Sequence, residues 1–136
     1  MPAPSFLASS LYVAVGGAAG SWLRYLTGRL WTPAIGPVAA GAFPWATLTV
    51  NLVGSLAMGL LAGWLARHGS AQGESWRLLV GVGLLGGFTT FSAFSLEVAL
   101  LIERGTIGLA ALYVALSLAA GVAALFAGLL LMRVLA

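Results

Sequence analysis

Apolar residues fill this chain in four long blocks, at about 7–30, 44–66, 77–102 and 107–132, with short interruptions rich in Gly, Pro or charge. Each block meets the ~20 residues that an α-helix needs to cross a hydrocarbon core. The pattern predicts four membrane-spanning helices. Trp31 to Phe43 carries Pro33, Gly36, Pro37 and Gly41 and is expected to be a loop; Arg67 to Trp76, with His68, Gly69, Gly73 and Glu74, is a second connector. Glu103-Arg104-Gly105 reads as a tight turn. Trp31, Trp45, Trp64 and Trp76 fall near span ends, as expected of an interfacial aromatic belt. No repeat or low-complexity tract divides the chain, so residues 1–136 read as one four-helix transmembrane domain.

The third block departs from a plain helix. A continuous helix from Arg77 to Ile102 would be about 39 Å long, more than the ~30 Å core requires. Within it stands Gly86-Gly87-Phe88-Thr89-Thr90-Phe91-Ser92-Ala93-Phe94-Ser95. Two glycines weaken the helix through their backbone entropy, and the threonines and serines after them can hydrogen-bond a freed backbone. The excess length leaves room for an unwound section at Gly86–Thr90. Irregular backbone at membrane depth is tolerated only where it is buried in protein or lines a cavity, so the break reads as an ion or substrate site. Phe91 and Phe94, three apart, share one helix face. Gly16/Gly20 and Gly59/Gly63 are GxxxG pairs, read as helix-packing surfaces.

Composition sharpens the membrane reading. Of 136 residues, 61% are hydrophobic and 7% charged, against roughly 25% charged in soluble domains. Six arginines and three glutamates carry all the acidic and basic charge, for a formal net +3. Scattered arginines make no basic patch, so nucleic-acid binding is not supported. The first basic residue is Arg24; without a positive stretch ahead of the first apolar block, that block is expected to be a retained span rather than a secretory signal. With four spans, Arg67, Arg77 and Arg133 share the side of the termini, and Arg24, Arg29 and Arg104 lie on the other, three against three. Orientation follows Lys/Arg excess in cytoplasmic loops. A balanced count sets no preference, so the chain is expected to insert both ways, unless one position such as Arg24 lies within the membrane and tips the balance. Four spans enclose little of a pathway, and both points suggest a homodimer, antiparallel if insertion is dual.

Catalysis is poorly provided for. His68 is a lone loop histidine and reads as solvated. Glu74 and Glu103 read as surface acids, and Glu97 falls near the end of the third span. No nucleophile–base pair or metal cluster can be assembled, so the chain is not read as an enzyme. A buried polar track is more plausible. Asn51, in Thr47-Leu48-Thr49-Val50-Asn51-Leu52-Val53-Gly54, brings an amide into the second span. It serves either as a helix–helix hydrogen bond or as a donor to a ligand. Tyr113 and Ser117, four apart, face one way in the fourth span, and Gly121 continues that stripe without a side chain. Arg24 can snorkel to the interface or place positive potential at a vestibule.

These strings, together with Gly16-Gly17-Ala18-Ala19-Gly20 and Arg24-Tyr25, resemble in order the motifs of the Fluc family of fluoride ion channels, also called CrcB proteins, across nearly the whole chain. The resemblance implies an all-α, dual-topology, antiparallel homodimer with two fluoride pathways at its interface. It implies a bacterial inner-membrane protein that lets fluoride out passively, and a structural sodium ion on backbone carbonyls of the break, here Gly86 and Thr89 of both copies. Phe91 and Phe94 would line the pores, with Asn51, Thr90 or Ser92, Tyr113 and Ser117 nearby, and Arg24 would stand toward a vestibule. Gly121 departs from the hydroxyl residue often found there and puts one polar contact in doubt. Aromatic edges carry positive potential, so the phenylalanines can replace part of fluoride's water shell without a fixed charge that would trap the ion.

Two other readings compete. A small multidrug-type exporter also has four spans and dual topology, but resembles its family by a glutamate in the first span, where this chain has no carboxylate. A noncatalytic assembly subunit would need no Asn51–Phe91–Phe94 constellation.

Overall fold

The computed structural model describes residues 4–68 and 71–135, and every regular element in them is helical. In order these are α1 (Phe6–Ile35), α2 (Pro37–Ala42), α3 (Trp45–Arg67), α4 (Ala71–Trp76), a π-helical segment (Arg77–Leu85), α5 (Gly86–Phe88), α6 (Phe91–Glu103) and α7 (Ile107–Val134). Four stretches are long and apolar enough to cross a membrane: Phe6–Ile35, Trp45–Arg67, Gly73–Glu103 and Ile107–Val134. They contain the four expected blocks, apart from Pro44 just ahead of the second, and run longer in the first, third and fourth. His68 closes α3, with its backbone N–H on the Trp64 carbonyl, and Gly69, in the second connector, lies outside the described residues.

The connector between the first two spans is not the loop that its prolines and glycines suggested. Pro33 lies in the last turns of α1, and Pro37 opens α2. A proline at the first helical position costs little, because its missing N–H has no intrahelical partner there. Between α1 and α2 only Gly36, at φ +83°, leaves the helical path, and Phe43 turns extended after α2. The third connector is the expected tight turn. Gly105 takes φ +76°, its N–H bonds the Ile102 carbonyl at 2.9 Å, and the Thr106 N–H bonds the Leu101 carbonyl at 3.0 Å. Those two bonds are a Schellman closure around a left-handed glycine.

Two parallel helix pairs build the bundle. Gly59 and Gly63 of α3 sit against Leu125, Leu129 and Met132 of α7, and Ser55 lies opposite Gly121. The matched order shows that α3 and α7 run the same way. Gly16, Gly17 and Gly20 of α1 sit against Leu79–Leu84 and Gly87, also in parallel register. A Cβ on Gly87 would stand 2.5 Å from the Gly17 carbonyl oxygen, so backbones touch there and no side chain fits. Both GxxxG pairs are thus helix-packing surfaces.

The third span departs from α-geometry in two places. Arg77–Leu85 winds as a π-helix, closing with the Gly86 N–H on the Gly81 carbonyl five residues back. The break follows, and it is narrower than expected. Gly86–Phe88 stay helical, and only Thr89 (φ −81°, ψ 160°) and Thr90 (φ −154°, ψ 120°) are extended. Neither glycine unwinds the helix, and Gly87 is used for close approach to α1.

The main buried cluster is small: Phe43, Leu48, Leu101, Ala110 and Tyr113, with Leu52, Phe94 and Val98 packed on it. Most large apolar side chains of α1 and α7 are exposed, as they are when lipid rather than water surrounds the bundle.

Candidate functional site

The break exposes two helix ends to one another. The Thr90 N–H donates to Asn51 Oδ1 at 2.9 Å, while Asn51 Nδ2 donates to the Thr90 carbonyl at 3.2 Å. One side-chain amide thus takes up the N–H that the interrupted helix leaves without a partner and also reaches the carbonyl that opens α6. The exchange has a consequence four residues earlier: the Gly86 carbonyl loses its ordinary i+4 donor, since the Thr90 N–H is turned to α3. Thr90 also caps α6, its Oγ1 accepting from the Ala93 N–H at 3.2 Å and lying 3.3 Å from Ser92 Oγ. The Thr89 hydroxyl turns back to the Leu85 carbonyl at 2.9 Å, leaving its own carbonyl outside either helical ladder.

These ends have opposite electrostatic character. The carbonyl end at Gly86–Thr89 carries partial negative charge and suits a cation; the N-terminus of the 13-residue α6 at Phe91 and Ser92 carries partial positive charge and suits an anion. An open cleft of ≈ 320 Å³ lies beside the break, lined by Asn51, Ser55, Thr89, Thr90 and Phe91 among others. Asn51 keeps one amide N–H beyond the bond it gives Thr90.

From this cleft a line of side chains runs along α6. The Phe91 and Phe94 ring centroids are 5.7 Å apart, and Phe94 lies 5.1 Å from Tyr113. Phe91 is 77% exposed, whereas Tyr113 is fully buried. The next residue at the same spacing is Glu97. Tyr113 donates its hydroxyl to Glu97 Oε2 and Thr47 donates to Oε1, both at 2.7 Å. Two hydroxyls from two helices hold the carboxylate. Beyond it a second cleft of ≈ 180 Å³, lined by Phe43, Glu97, Leu101 and Arg104 among others, opens toward the α6–α7 turn. Phe43 stands edge-on to Tyr113 at 5.5 Å and fixes the ring from the other side.

Glu97 and Thr47 are the members that sequence reasoning missed. Glu97 looked like an acid at a span end. The available signal was the three-residue step Phe91, Phe94, Glu97, which carries one helix face from the aromatics to the carboxylate. Ser117, one turn beyond Tyr113, has a buried hydroxyl with no hydrogen-bond partner, the one such side-chain atom found among the described residues. A buried unpaired hydroxyl costs free energy unless something else takes its proton. The hydroxyl absent at Gly121 has a neighbour in its place: Ser55 Oγ lies 3.7 Å from where a Cβ would stand. Arg24 is half-buried on α1 and lines neither cleft; Arg104 is the arginine at the mouth of the second.

The family model for CrcB-like protein, Camphor Resistance (CrcB), matches residues 11–129. The chain belongs to the CrcB family. All the residues of the break and of the line along α6 lie inside the matched range. The CrcB chain is 61% identical over 127 residues to the "Fluoride-specific ion channel FluC" of Novosphingobium aromaticivorans, covering 93% of this chain and 98% of the relative. Proteins of the same name in Erythrobacter litoralis (53% over 130 residues, 96% of each chain) and Caulobacter vibrioides (52% over 123 residues, 90% of this chain and 94% of the relative) match similarly. The relatives' names describe channels, a transport function rather than catalysis.

Proposed function

We propose that this protein is a fluoride-selective channel that lets fluoride leave a bacterial cell passively across the inner membrane. The observation that carries the reading is the set of weak, uncharged donors leading from the first cleft: the spare Asn51 N–H and the Phe91 and Phe94 ring edges, with the unpaired Ser117 hydroxyl one turn along α7 from Tyr113. Relatives of more than half identity, named as fluoride-specific channels, support the choice of ion.

The mechanism follows from the donors. Fluoride is small and strongly hydrated, so each water it sheds must be replaced at close range. Asn51 offers an amide N–H that is held rigidly because its other groups grip Thr90. Phe91 and Phe94 offer electropositive ring edges. Ser117, and at the α6 end Thr90 or Ser92, offer hydroxyls. None is a fixed positive charge, so no step binds the ion too tightly to leave. Glu97 keeps the Tyr113 and Thr47 protons engaged and sets the tilt of the Tyr113 ring against Phe94.

We infer that the working unit is an antiparallel homodimer formed by dual insertion, with two pores at its interface. A ring 77% exposed on a polar cleft has only half its surroundings in one protomer. Arg24 and Arg104 would then contribute positive potential at the vestibules. A sodium ion at the centre fits the residues present. The Gly86 carbonyl, freed by the Asn51–Thr90 exchange, and the Thr89 carbonyl would hold it, two oxygens from each copy; when bound it supplies a fixed positive charge between the pores.

The test is growth. Expression in a bacterial host stripped of fluoride export should restore growth in fluoride medium, and Asn51→Ala should not. Failure of the well-expressed native chain to protect the host would overturn the fluoride reading.

A further inference from the structure

At the end of the bundle opposite the second cleft, a groove of ≈ 370 Å³ lies between α3, the start of the third span and α7. Its lining is wholly apolar: Leu60, Leu61, Trp64, Trp76, Val80 and Met132. The rim is aromatic. Trp64 meets Trp76 edge-on at 6.3 Å and stacks on His68 at 5.0 Å. Paired tryptophans place this rim at headgroup depth.

Three arginines stand around the rim. Arg67 follows Trp64 by one turn in the last turn of α3, and Arg133 follows Met132 in the last turn of α7. Because α3 and α7 run parallel and touch where Gly63 meets Met132, both arginines emerge at the same end. Arg77, next to Trp76, is held by two bonds to Glu74, at 2.8 and 2.7 Å. Arg67 and Arg133 are exposed and have no carboxylate partner among the described residues.

We propose that this groove is a binding site for an anionic phospholipid, with an acyl chain along Leu60, Trp64, Val80 and Met132 and the phosphate between Arg67 and Arg133. The apolar lining accepts a chain and no polar ligand. The two unpaired guanidiniums select the headgroup, since an arginine at the membrane surface attracts anionic lipid and ignores a zwitterion's net neutrality. The binding does not depend on which ion the protein conducts.

Native mass spectrometry of the full-length protein, equilibrated with equal amounts of dioleoyl phosphatidylglycerol and dioleoyl phosphatidylcholine, tests this. The native protein should retain the glycerol lipid in roughly tenfold preference. Arg67→Gln with Arg133→Gln should bring the ratio near one, and Leu60→Trp, which fills the groove, should remove the retained lipid. Arg24→Gln with Arg29→Gln, the same charge change at the other end, should leave the preference intact. Each variant is first checked for a single symmetric size-exclusion peak. Retention without preference, an equal loss in the control pair, or no retained lipid at all because a second copy covers the groove, would each overturn the proposal.

Discussion

Asn51 spends one donor and one acceptor on Thr90 and keeps a single N–H free, so its structural role and the ion contact proposed for it rest on the same side chain. Removing the amide leaves the Thr90 N–H unpaired at membrane depth. Asn51→Ala should cost about 1–3 kcal/mol for the buried N–H it orphans, read as a lower thermal midpoint in detergent, and fluoride flux should fall as well. Unchanged stability would mean that the Asn51–Thr90 pair does not hold the break. The phenylalanines behave differently. Phe91→Ile and Phe94→Ile keep apolar bulk, so the fold should survive, but the ring edge is lost. A lost edge contact on the scale of an aromatic pair, about 0.5–1.5 kcal/mol, corresponds to roughly two- to tenfold in rate, measured as fluoride efflux per dimer normalised to size-exclusion yield. Normal flux per dimer in both variants would make the rings core packing.

Among the elements, glycine decides which helices meet. Gly20 is pressed against the Leu84 carbonyl and the Phe88 N–H, whereas Gly28, two turns further along α1, has nothing within 4 Å. Gly20→Val should therefore abolish folded protein, while Gly28→Val should express and run as the native chain does; equal tolerance of both would contradict the parallel packing of α1 on the third span. The spans, the tight turn at Gly105 and the break near Thr89 were legible because each has a local cause: hydrophobic length, a left-handed glycine, and a Thr-Thr pair ahead of a fresh helix start; the double glycine before that pair made the break look wider than it is. The helical path through Pro33 and Pro37 was hidden because proline's effect depends on its position within a helix, which composition does not reveal. The π-winding of Arg77–Leu85 has no signature in the local string, and the segment lies packed along α1. Glu97 was obscured because its partners Thr47 and Tyr113 lie 50 and 16 residues away.

For the whole molecule, the even number of parallel-paired spans puts both chain ends on one side, and the arginines divide evenly between the two sides. The proposed dual insertion rests on that balance, so breaking it should break function. Three lysines added at the C-terminus should lock one orientation and reduce activity, and co-expression of an oppositely biased copy should restore it; full activity from one locked form alone would contradict the antiparallel pair. Selective passive passage of fluoride is the central claim, and liposomes measure it most directly. Protein reconstituted into vesicles loaded with potassium fluoride, or with potassium chloride as the matched control, is diluted into ion-poor buffer, and a potassium ionophore is added to relieve the voltage. Fluoride should discharge at once without any proton gradient while chloride stays inside. Equal chloride efflux, or fluoride release only when a proton gradient is imposed, would contradict it.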